Sequence, residues 1–108
     1  MNTPIYIGEF EELVLLAILA LGKEAYGVKI KDAIEAATNR SSSIGALYTT
    51  LSRLEEKGLV CGWMGDATPE RGGRAKRYYK IEAPAKRALR LAEAGRRRLM
   101  PSLNPTLS

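Results

Sequence analysis

The stretch spanning residues 41–60, SSSIGALYTTLSRLEEKGLV, constrains the fold of this chain more than any other. Its apolar residues recur at helical spacing and form one continuous stripe, made of Ile44, Leu47, Tyr48, Leu51 and Leu54. One of the three serines at 41–43 is expected to cap this helix, because a serine hydroxyl accepts a hydrogen bond from a free backbone N–H. Gly58 stands where the helix should stop, since glycine adopts the left-handed conformation at little steric cost.

The side of this helix opposite the stripe is small and rich in hydroxyl groups, and its N-terminal half carries no charge. It contains Ser42, Ala46, Thr49, Thr50 and, one turn later, Arg53. Such a face suits a narrow space in which the helix must form hydrogen bonds. The DNA major groove is such a space, since Arg, Ser and Thr can bond there to base edges or phosphates. An ordinary amphipathic core helix with a polar back is the alternative, and this stretch alone does not decide between them.

The segment after the helix favours DNA binding. Residues 59–81 predict a strand, a Gly-rich turn and a second strand, a β-hairpin whose second half is strongly basic. Residues 1–70 hold six Lys or Arg and ten Asp or Glu, a net charge of −4, whereas residues 71–108 hold eleven and two, a net charge of +9. Positive charge concentrated in this way indicates a polyanionic partner. A capped helix followed by a basic hairpin is the layout of a winged helix-turn-helix.

The same residues resemble the PadR-type transcriptional regulators. The resemblance rests on Gly45-Ala46-Leu47-Tyr48, Leu51, Arg53-Leu54-Glu55, Lys57-Gly58-Leu59-Val60 and Arg77-Tyr78-Tyr79, and it extends from about residue 9 to residue 91. The family often has proline just after the tyrosine, whereas this chain has Thr49, which keeps its backbone N–H and adds a hydroxyl. The resemblance implies a homodimer, most often a repressor, that places two recognition helices in successive major grooves of a pseudo-palindromic site.

The rest of the chain predicts three further helices. They are expected at residues 9–21, at residues 26–37 and at residues 85–100, where Pro101 ends the last helix. The residues of the second of these helices that are expected to face inward are Val28, Ile30, Ile34 and either Ala37 or Ala33. The hairpin strands are expected at residues 59–64 and 74–81. The predicted fold class is mainly α with a β-hairpin wing. It divides into a winged helix-turn-helix domain at 1–82, a C-terminal dimerisation helix at 83–100 and a loose tail at 101–108.

The first and last helices are predicted to form a homodimer. The first helix is hydrophobic nearly all round and so needs burial nearly all round, which a domain of this size hardly provides by itself. A central helix wrapped by its own domain is the alternative. The last helix carries a stripe of small residues that lets another helix approach closely. The candidate interface residues are Phe10, Leu13, Leu16, Ala88, Leu89, Ala92, Gly95 and Leu99.

Two groups of residues are candidate DNA contacts. The recognition helix contributes Ser42, Ser43, Ala46, Tyr48, Thr49, Thr50 and Arg53, and the wing contributes Arg71, Arg74, Lys76 and Arg77. The wing residues cluster on and beside a Gly-rich loop, so we expect them to act mainly on phosphates. Arg53 is long enough to reach a guanine edge or a phosphate, and phosphate is favoured slightly because the N-terminal residues of such helices lie deepest in the groove.

Composition argues against several other classes of function. The chain has no histidine and one cysteine, so His-based triads, the usual His-containing metal sites and Cys-only zinc sites are absent. We therefore predict no enzyme activity, no cofactor and no metal. Cys61 cannot form an internal disulfide, which favours a reducing, cytoplasmic location. The apolar run at residues 13–21 is too short to span a membrane, so no membrane association is expected.

Three rival interpretations concern what else the chain could bind. A winged-helix module whose recognition face binds protein is the first, but it has no need of a +9 charge in its last third. RNA binding is weaker, because the aromatic platform of single-strand readers is missing and Trp63, Tyr78 and Tyr79 are predicted to pack the hairpin. Dimers of the resembled family can respond to small aromatic or phenolic ligands. An effector of unknown identity therefore stays open, without an assigned site.

Overall fold

The computed structural model describes residues 4–65 and 75–100 of the 108-residue chain. Within these residues lie four α-helices and two strands: α1 (Glu9–Leu21), α2 (Gly27–Thr38), α3 (Ile44–Glu56), β1 (Val60–Met64), β2 (Arg77–Ile81) and α4 (Ala83–Leu99). A 3-10 turn at Gly22–Glu24 connects α1 to α2. The strands pair antiparallel, with Val60 opposite Ile81 and Met64 opposite Arg77. This order confirms the predicted fold class, a mainly helical winged helix-turn-helix with a hairpin wing and a C-terminal helix.

The recognition helix α3 is capped at both ends as its sequence predicts. Ser43 is the N-cap residue, and its Oγ accepts a hydrogen bond from the backbone N–H of Ala46 at 3.0 Å. At the other end Gly58 has a φ of 74°. The N–H of Leu59 donates to the carbonyl of Leu54 at 2.9 Å and the N–H of Gly58 to that of Glu55 at 3.0 Å, which is a Schellman ending. These caps determine where α3 starts and where the chain turns into β1.

The hydrophobic core lies where α1, α2 and α3 meet the hairpin and the start of α4. Its members are Val14, Leu15, Ala17, Ile18, Ala25, Ile30, Ile34, Leu47, Leu51, Leu54, Leu59, Val60, Tyr79 and Ala85. The apolar stripe of α3 is completely buried at Leu47, Leu51 and Leu54, whereas Ile44 and Tyr48 are 40% and 41% exposed. The first turns of α3 therefore emerge from the core while its later turns anchor it.

Helices α2 and α4 differ from the prediction at their first turns. The extended backbone of Tyr26 precedes α2, which begins one residue later than expected and buries Gly27, Ile30 and Ile34. The predicted inward position of Val28 is wrong, because Val28 follows Gly27 by one residue and so lies on another face of the helix, where it is exposed. Helix α4 begins two residues earlier than expected, at Ala83. Pro84 lies in its first turn, where a missing N–H costs no helical hydrogen bond.

Helix α4 is held to the rest of the chain near its start and by ion pairing further along. Its buried residues, Ala85 and Ala88, lie in its first two turns. Further along, the guanidinium of Arg96 donates to the carboxylate of Glu12, a buried residue on α1. The last residue of α4, Leu99, is exposed. Among the described residues, no helix combines the length and apolarity needed to cross a membrane.

Candidate nucleic-acid interface

The outward face of α3 presents short side chains and one long cation. Ser43, Ala46, Thr49 and Arg53 are all exposed. The hydroxyl of Thr49 donates to the carbonyl of Gly45 at 3.0 Å, so its proton is engaged within the helix. The remaining lone pairs of this oxygen can still accept a hydrogen bond, for example from the amino group of adenine or cytosine. The face is thus able to act as an acceptor at Thr49 and as a donor at Arg53.

Two of the predicted contacts do not lie on this exposed face. Thr50 is 7% exposed, because it follows Leu47 by three residues and precedes Leu54 by four, which places it on the buried side of the helix. Ser42 is half-buried, and its Oγ is enclosed without a hydrogen-bond partner among the described residues. Ser42 lies before the first turn of α3, so helical spacing does not apply to it. The prediction that these two side chains face outward is wrong.

Tyr48 lines a groove of about 350 Å³ between the start of α2, helix α3 and the wing. Its ring packs directly on the first residue of α2: a Cβ added at Gly27 would stand 2.3 Å from the hydroxyl oxygen of Tyr48. The wing contributes Lys76, whose Nζ lies 4.1 Å from the centroid of the Tyr26 ring, a cation–π contact. The groove therefore combines a phenolic hydroxyl, a helix N-terminus and a cation, which together suit a phosphate group.

Arg77 differs from Lys76 because it forms an ion pair with the recognition helix. Its Nη2 donates to Oε2 of Glu55 at 2.9 Å, and this hydrogen bond raises the pKa of Arg77 above its ordinary value. The guanidinium also packs on the backbone of β1, since a Cβ at Gly62 would stand 2.8 Å from its Nη2. Arg77 connects the wing to the recognition helix, and its charge is largely compensated.

The predicted DNA contacts thus form two neighbouring groups. Ala46, Thr49 and Arg53 share the exposed face of α3, and Tyr48, Lys76 and Arg77 share the groove beside it. The remaining wing candidates, Arg71 and Arg74, lie outside the described residues. Sequence reasoning missed Tyr26 and Val28, which also line the groove. In the sequence, Gly27 was the residue that could have indicated this groove, because a glycine at the start of a helix can mark the close approach of another group.

The predicted interface residues on α1 and α4 differ in how far they are buried within the single chain. Ala88 is buried within the chain itself, so its prediction as an interface residue is wrong. Phe10, Leu13 and Leu89 are half-buried against the core, and Ala92 and Gly95 are half-buried. Leu16 and Leu99 are exposed, Leu16 by 44%. Leu16 also lines an open groove of about 340 Å³ between α1 and α4, together with Leu19, Leu89 and charged residues.

Comparison with known proteins places these features in a family context. The sequence profile of the transcriptional regulator PadR-like family matches residues 15–100 of this chain. Over 88 residues the chain is 33% identical to an uncharacterized protein of Lysinibacillus sphaericus, which corresponds to 80% of this chain and 76% of that protein.

Solved structures of PadR-type regulators have the same fold. A PadR family transcription regulator of Clostridium difficile is 24% identical with a TM-score of 0.68, covering 94% of this chain and 100% of that one. A PadR-like transcription factor of Bacteroides fragilis is 26% identical with a TM-score of 0.67, covering 88% and 86%. A PadR-like transcriptional regulator of Bacillus cereus is 19% identical with a TM-score of 0.70, covering 92% and 91%.

Proposed function

The chain belongs to the PadR-like family of transcriptional regulators, and from that premise we propose that it binds a specific operator as a homodimer and represses transcription in the cytoplasm. The observation that carries this proposal is the exposed face of α3, which is uncharged in its first turns and held beside a cationic wing. Neutral residues that are short enough to approach base edges are what a reading helix requires.

Sequence reading is assigned to the first three turns of α3. Ala46, Thr49 and Arg53 follow each other at spacings of three and four residues and so lie along one line of the helix. The methyl group of Ala46 can contact a thymine methyl, and the oxygen of Thr49 can accept from a base amino group. Arg53 lies in the C-terminal half of α3, from where its long side chain can reach either a guanine edge or a phosphate.

Phosphate binding is assigned to the groove beside α3. The Tyr48 hydroxyl, the N–H groups of the first turn of α2 and the Lys76 ammonium would hold one backbone phosphate, which positions the helix without reading sequence. Arg77 would act indirectly, because its pairing with Glu55 holds the wing at α3. Arg71 and Arg74, which stand between β1 and β2 in the sequence, are proposed to contact flanking phosphates.

The homodimer is proposed to form through the groove between α1 and α4. Leu16 and Leu19 are 44% and 47% exposed in one chain, and Leu99 at the end of α4 is 71% exposed. A second copy of α4 would cover these surfaces. The twofold arrangement would place two copies of α3 about 34 Å apart, one turn of DNA, which explains why a pseudo-palindromic operator is expected.

A protein-interaction module is the alternative function. Val28, Ile44 and Tyr48 are exposed apolar residues at the starts of α2 and α3, and such residues are typical of protein contacts as well. The two functions differ in their dependence on salt. Binding to DNA releases counterions and weakens steeply as salt rises, whereas binding of an apolar protein surface does not.

The test is binding of the full chain to a library of randomised duplexes and to DNA upstream of its own gene. Thr49→Ala should change the preferred bases while the dependence of affinity on salt stays the same, since a neutral hydroxyl releases no counterions. If Arg53 reads guanine, Arg53→Ala should cost about 1–3 kcal/mol of binding free energy and relax the base preference at one position per half-site. If Arg53 contacts a phosphate, the substitution should weaken binding to all sequences alike. Arg87→Ala, which removes an exposed arginine on α4, is the matched control for charge. If substitution of Ser43, Ala46, Thr49 and Arg53 leaves affinity and preference unchanged, α3 is not the reading helix.

A further inference from the structure

Tyr26 lies where the wing meets the helix-turn-helix, in the extended residue just before α2. Its backbone forms an isolated antiparallel bridge with Tyr78 of β2. Beside this bridge the N–H of Tyr79 donates to the carbonyl of Ala25 at 2.9 Å. The segment before α2 is therefore hydrogen-bonded to β2, and the position of Tyr26 relative to the wing is fixed through the backbone.

The ring of Tyr26 is held by other aromatic rings. Tyr26 and Tyr78 make an edge-to-face contact, with 5.5 Å between ring centroids and an angle of 71° between ring planes. Tyr78 in turn is stacked with Trp63, at 6.1 Å and 23°. Such contacts are favourable beyond the area that they bury, and three rings in series restrict how far the first can turn. The Tyr26 ring is thus a rigid wall of the groove beside α3.

Lys76 of the wing places its ammonium group over this ring. Its Nζ lies 4.1 Å from the centroid of Tyr26, and its backbone carbonyl accepts from the N–H of Gly65 at 2.7 Å. Within the part of the chain that the structure describes, Lys76 forms no ion pair, whereas its neighbour Arg77 is paired with Glu55. Lys76 is therefore held in place without a carboxylate.

An aromatic ring and a carboxylate have different consequences for a cation. The quadrupole of a ring attracts an ammonium group but leaves its net charge uncompensated, so the charge stays available to a phosphate. A free lysine side chain has many rotamers and loses this entropy when it binds. A lysine that is already held near its bound position loses less of it, which favours binding.

We infer that Tyr26 is a positioning residue, whose ring holds the Lys76 ammonium where the groove receives a backbone phosphate of DNA. The inference rests on the proposed function, which assigns that phosphate to this groove. In the complex the ammonium lies between the ring and the phosphate, whereas in the free chain it can leave the ring for water. A ring that no longer attracts the cation therefore weakens the complex more than the free chain. Tyr26 reads no base, so its effect is the same for all sequences.

Two rings of nearly the same shape test this role. Tyr26→Phe keeps the ring quadrupole, and Tyr26→pentafluorophenylalanine, introduced by nonsense suppression, reverses it. The Phe variant should bind duplex DNA within about twofold of the unchanged chain, and the fluorinated variant about 2–5-fold more weakly than the Phe variant. The loss should be equal for the preferred and for an unrelated duplex. The salt dependence should not change, because Lys76 still neutralises its phosphate.

The control is the same comparison in a Lys76→Gln background, where the two ring variants should bind alike because no cation is left to respond. Fluorescence anisotropy measures the affinities, and circular dichroism checks that every variant is folded. Equal affinities of the two ring variants when Lys76 is present would overturn the inference. A difference of the same size in the Lys76→Gln background would overturn it as well, since the ring would then act on something other than Lys76.

NMR of the chain without DNA tests the contact directly. The methylene protons next to Nζ of Lys76 should be shifted upfield by the ring current in the unchanged chain and in Tyr26→Phe, and the shift should disappear in Tyr26→Leu. Lys29, which pairs with Glu24, is the control and should show no such shift. Absence of the Lys76 shift overturns the inference. If the unchanged chain binds no duplex, the proposed function fails and this inference with it. If the duplex binds and the ring variants are alike, only this inference fails.

Discussion

The guanidinium of Arg77 on β2 donates to the carboxylate of Glu55 near the end of α3, with 2.9 Å between Nη2 and Oε2. The two residues are 22 positions apart in the chain, and their contact connects the wing to the recognition helix. A guanidinium that stays paired with a carboxylate neutralises no DNA phosphate and therefore releases few of the counterions that are condensed on DNA. The wing cations are therefore not equivalent: Arg77 maintains geometry, whereas Lys76 keeps a charge directed to the groove beside α3.

This difference predicts distinct salt dependences for two wing substitutions. Lys76→Gln should lower the slope of log affinity against log salt by about 1, because one phosphate contact is lost. Arg77→Gln should weaken DNA binding at every salt concentration, since the wing is released from α3, and should leave the slope nearly unchanged. Fluorescence anisotropy at a series of salt concentrations measures both. A slope that falls by about 1 for Arg77→Gln would mean that Arg77 leaves Glu55 and contacts phosphate.

A substitution at the start of α2 should displace Tyr48. In Gly27→Ala the new methyl group would overlap the phenol ring, and we expect a loss of about 1–3 kcal/mol in the free energy of unfolding. The loss should be much smaller in a Tyr48→Ala background, because the two side chains then no longer collide. Urea denaturation of the single and double variants measures this. Gly45→Ala is the control, since its Cβ would meet nothing closer than Ser43 Oγ at 4.0 Å. Equal costs of Gly27→Ala in both backgrounds would contradict the predicted collision.

The proposed dimer predicts that a charge on α1 blocks association without unfolding the chain. Leu16→Glu should yield a folded monomer, because Leu16 is exposed in the single chain but would lie in a water-free interface in the dimer. Ala92→Glu should act in the same way from α4. Sedimentation velocity at micromolar concentration, with circular dichroism as the check on folding, measures the outcome. Ala36→Glu on the exposed surface of α2, a helix that does not line the groove, should stay dimeric. An unmodified chain that sediments as a stable monomer would refute the dimer.

The hydrogen-bonded carboxylate of Glu11 should make part of the free energy of unfolding depend on pH. Its carboxylate accepts from the N–H of Gly8 at 2.8 Å and from Nζ of Lys57 at 2.7 Å. Burial alone would raise the pKa of Glu11, but these hydrogen bonds outweigh burial and the pKa is lowered. A group with a lowered pKa in the folded state stabilises at pH values above its unfolded pKa, and this stabilisation disappears as pH falls through the folded pKa.

Glu11→Gln should therefore reduce the free energy of unfolding by roughly 0.5–1 kcal/mol at neutral pH. Below the lowered pKa of Glu11 the difference from the unchanged chain should vanish, because the carboxyl is then protonated in both states. The glutamine oxygen can still accept from Gly8, so the change isolates the charge. Urea denaturation across the pH range measures the effect, and Glu24→Gln, whose exposed carboxylate lies 3.8 Å from Lys29, is the control. A difference that persists unchanged at acidic pH would show that charge is not the cause.

The sequence by itself determined the elements and the features that depend on near neighbours. Helix α1 begins and ends where its apolar run predicts, Ser43 caps α3 and Gly58 ends it. Hydrogen bonds between residues three to five apart produce these features, so a short window of sequence contains the necessary information. The same local patterns were sufficient to indicate a winged helix-turn-helix of the PadR type.

Only the tertiary structure decided what the side chains do. The sequence grouped Ser42 with the outward-facing residues of α3, but the folded chain half-buries this residue and encloses its Oγ. Composition counted Arg77 as one more wing cation, yet Glu55 pairs with it from another element. Lys23, Lys80 and Lys86 belong to three separate elements, and only the folded chain brings them around one cavity. Burial and ion pairing depend on contacts between residues far apart in sequence, which no local pattern contains.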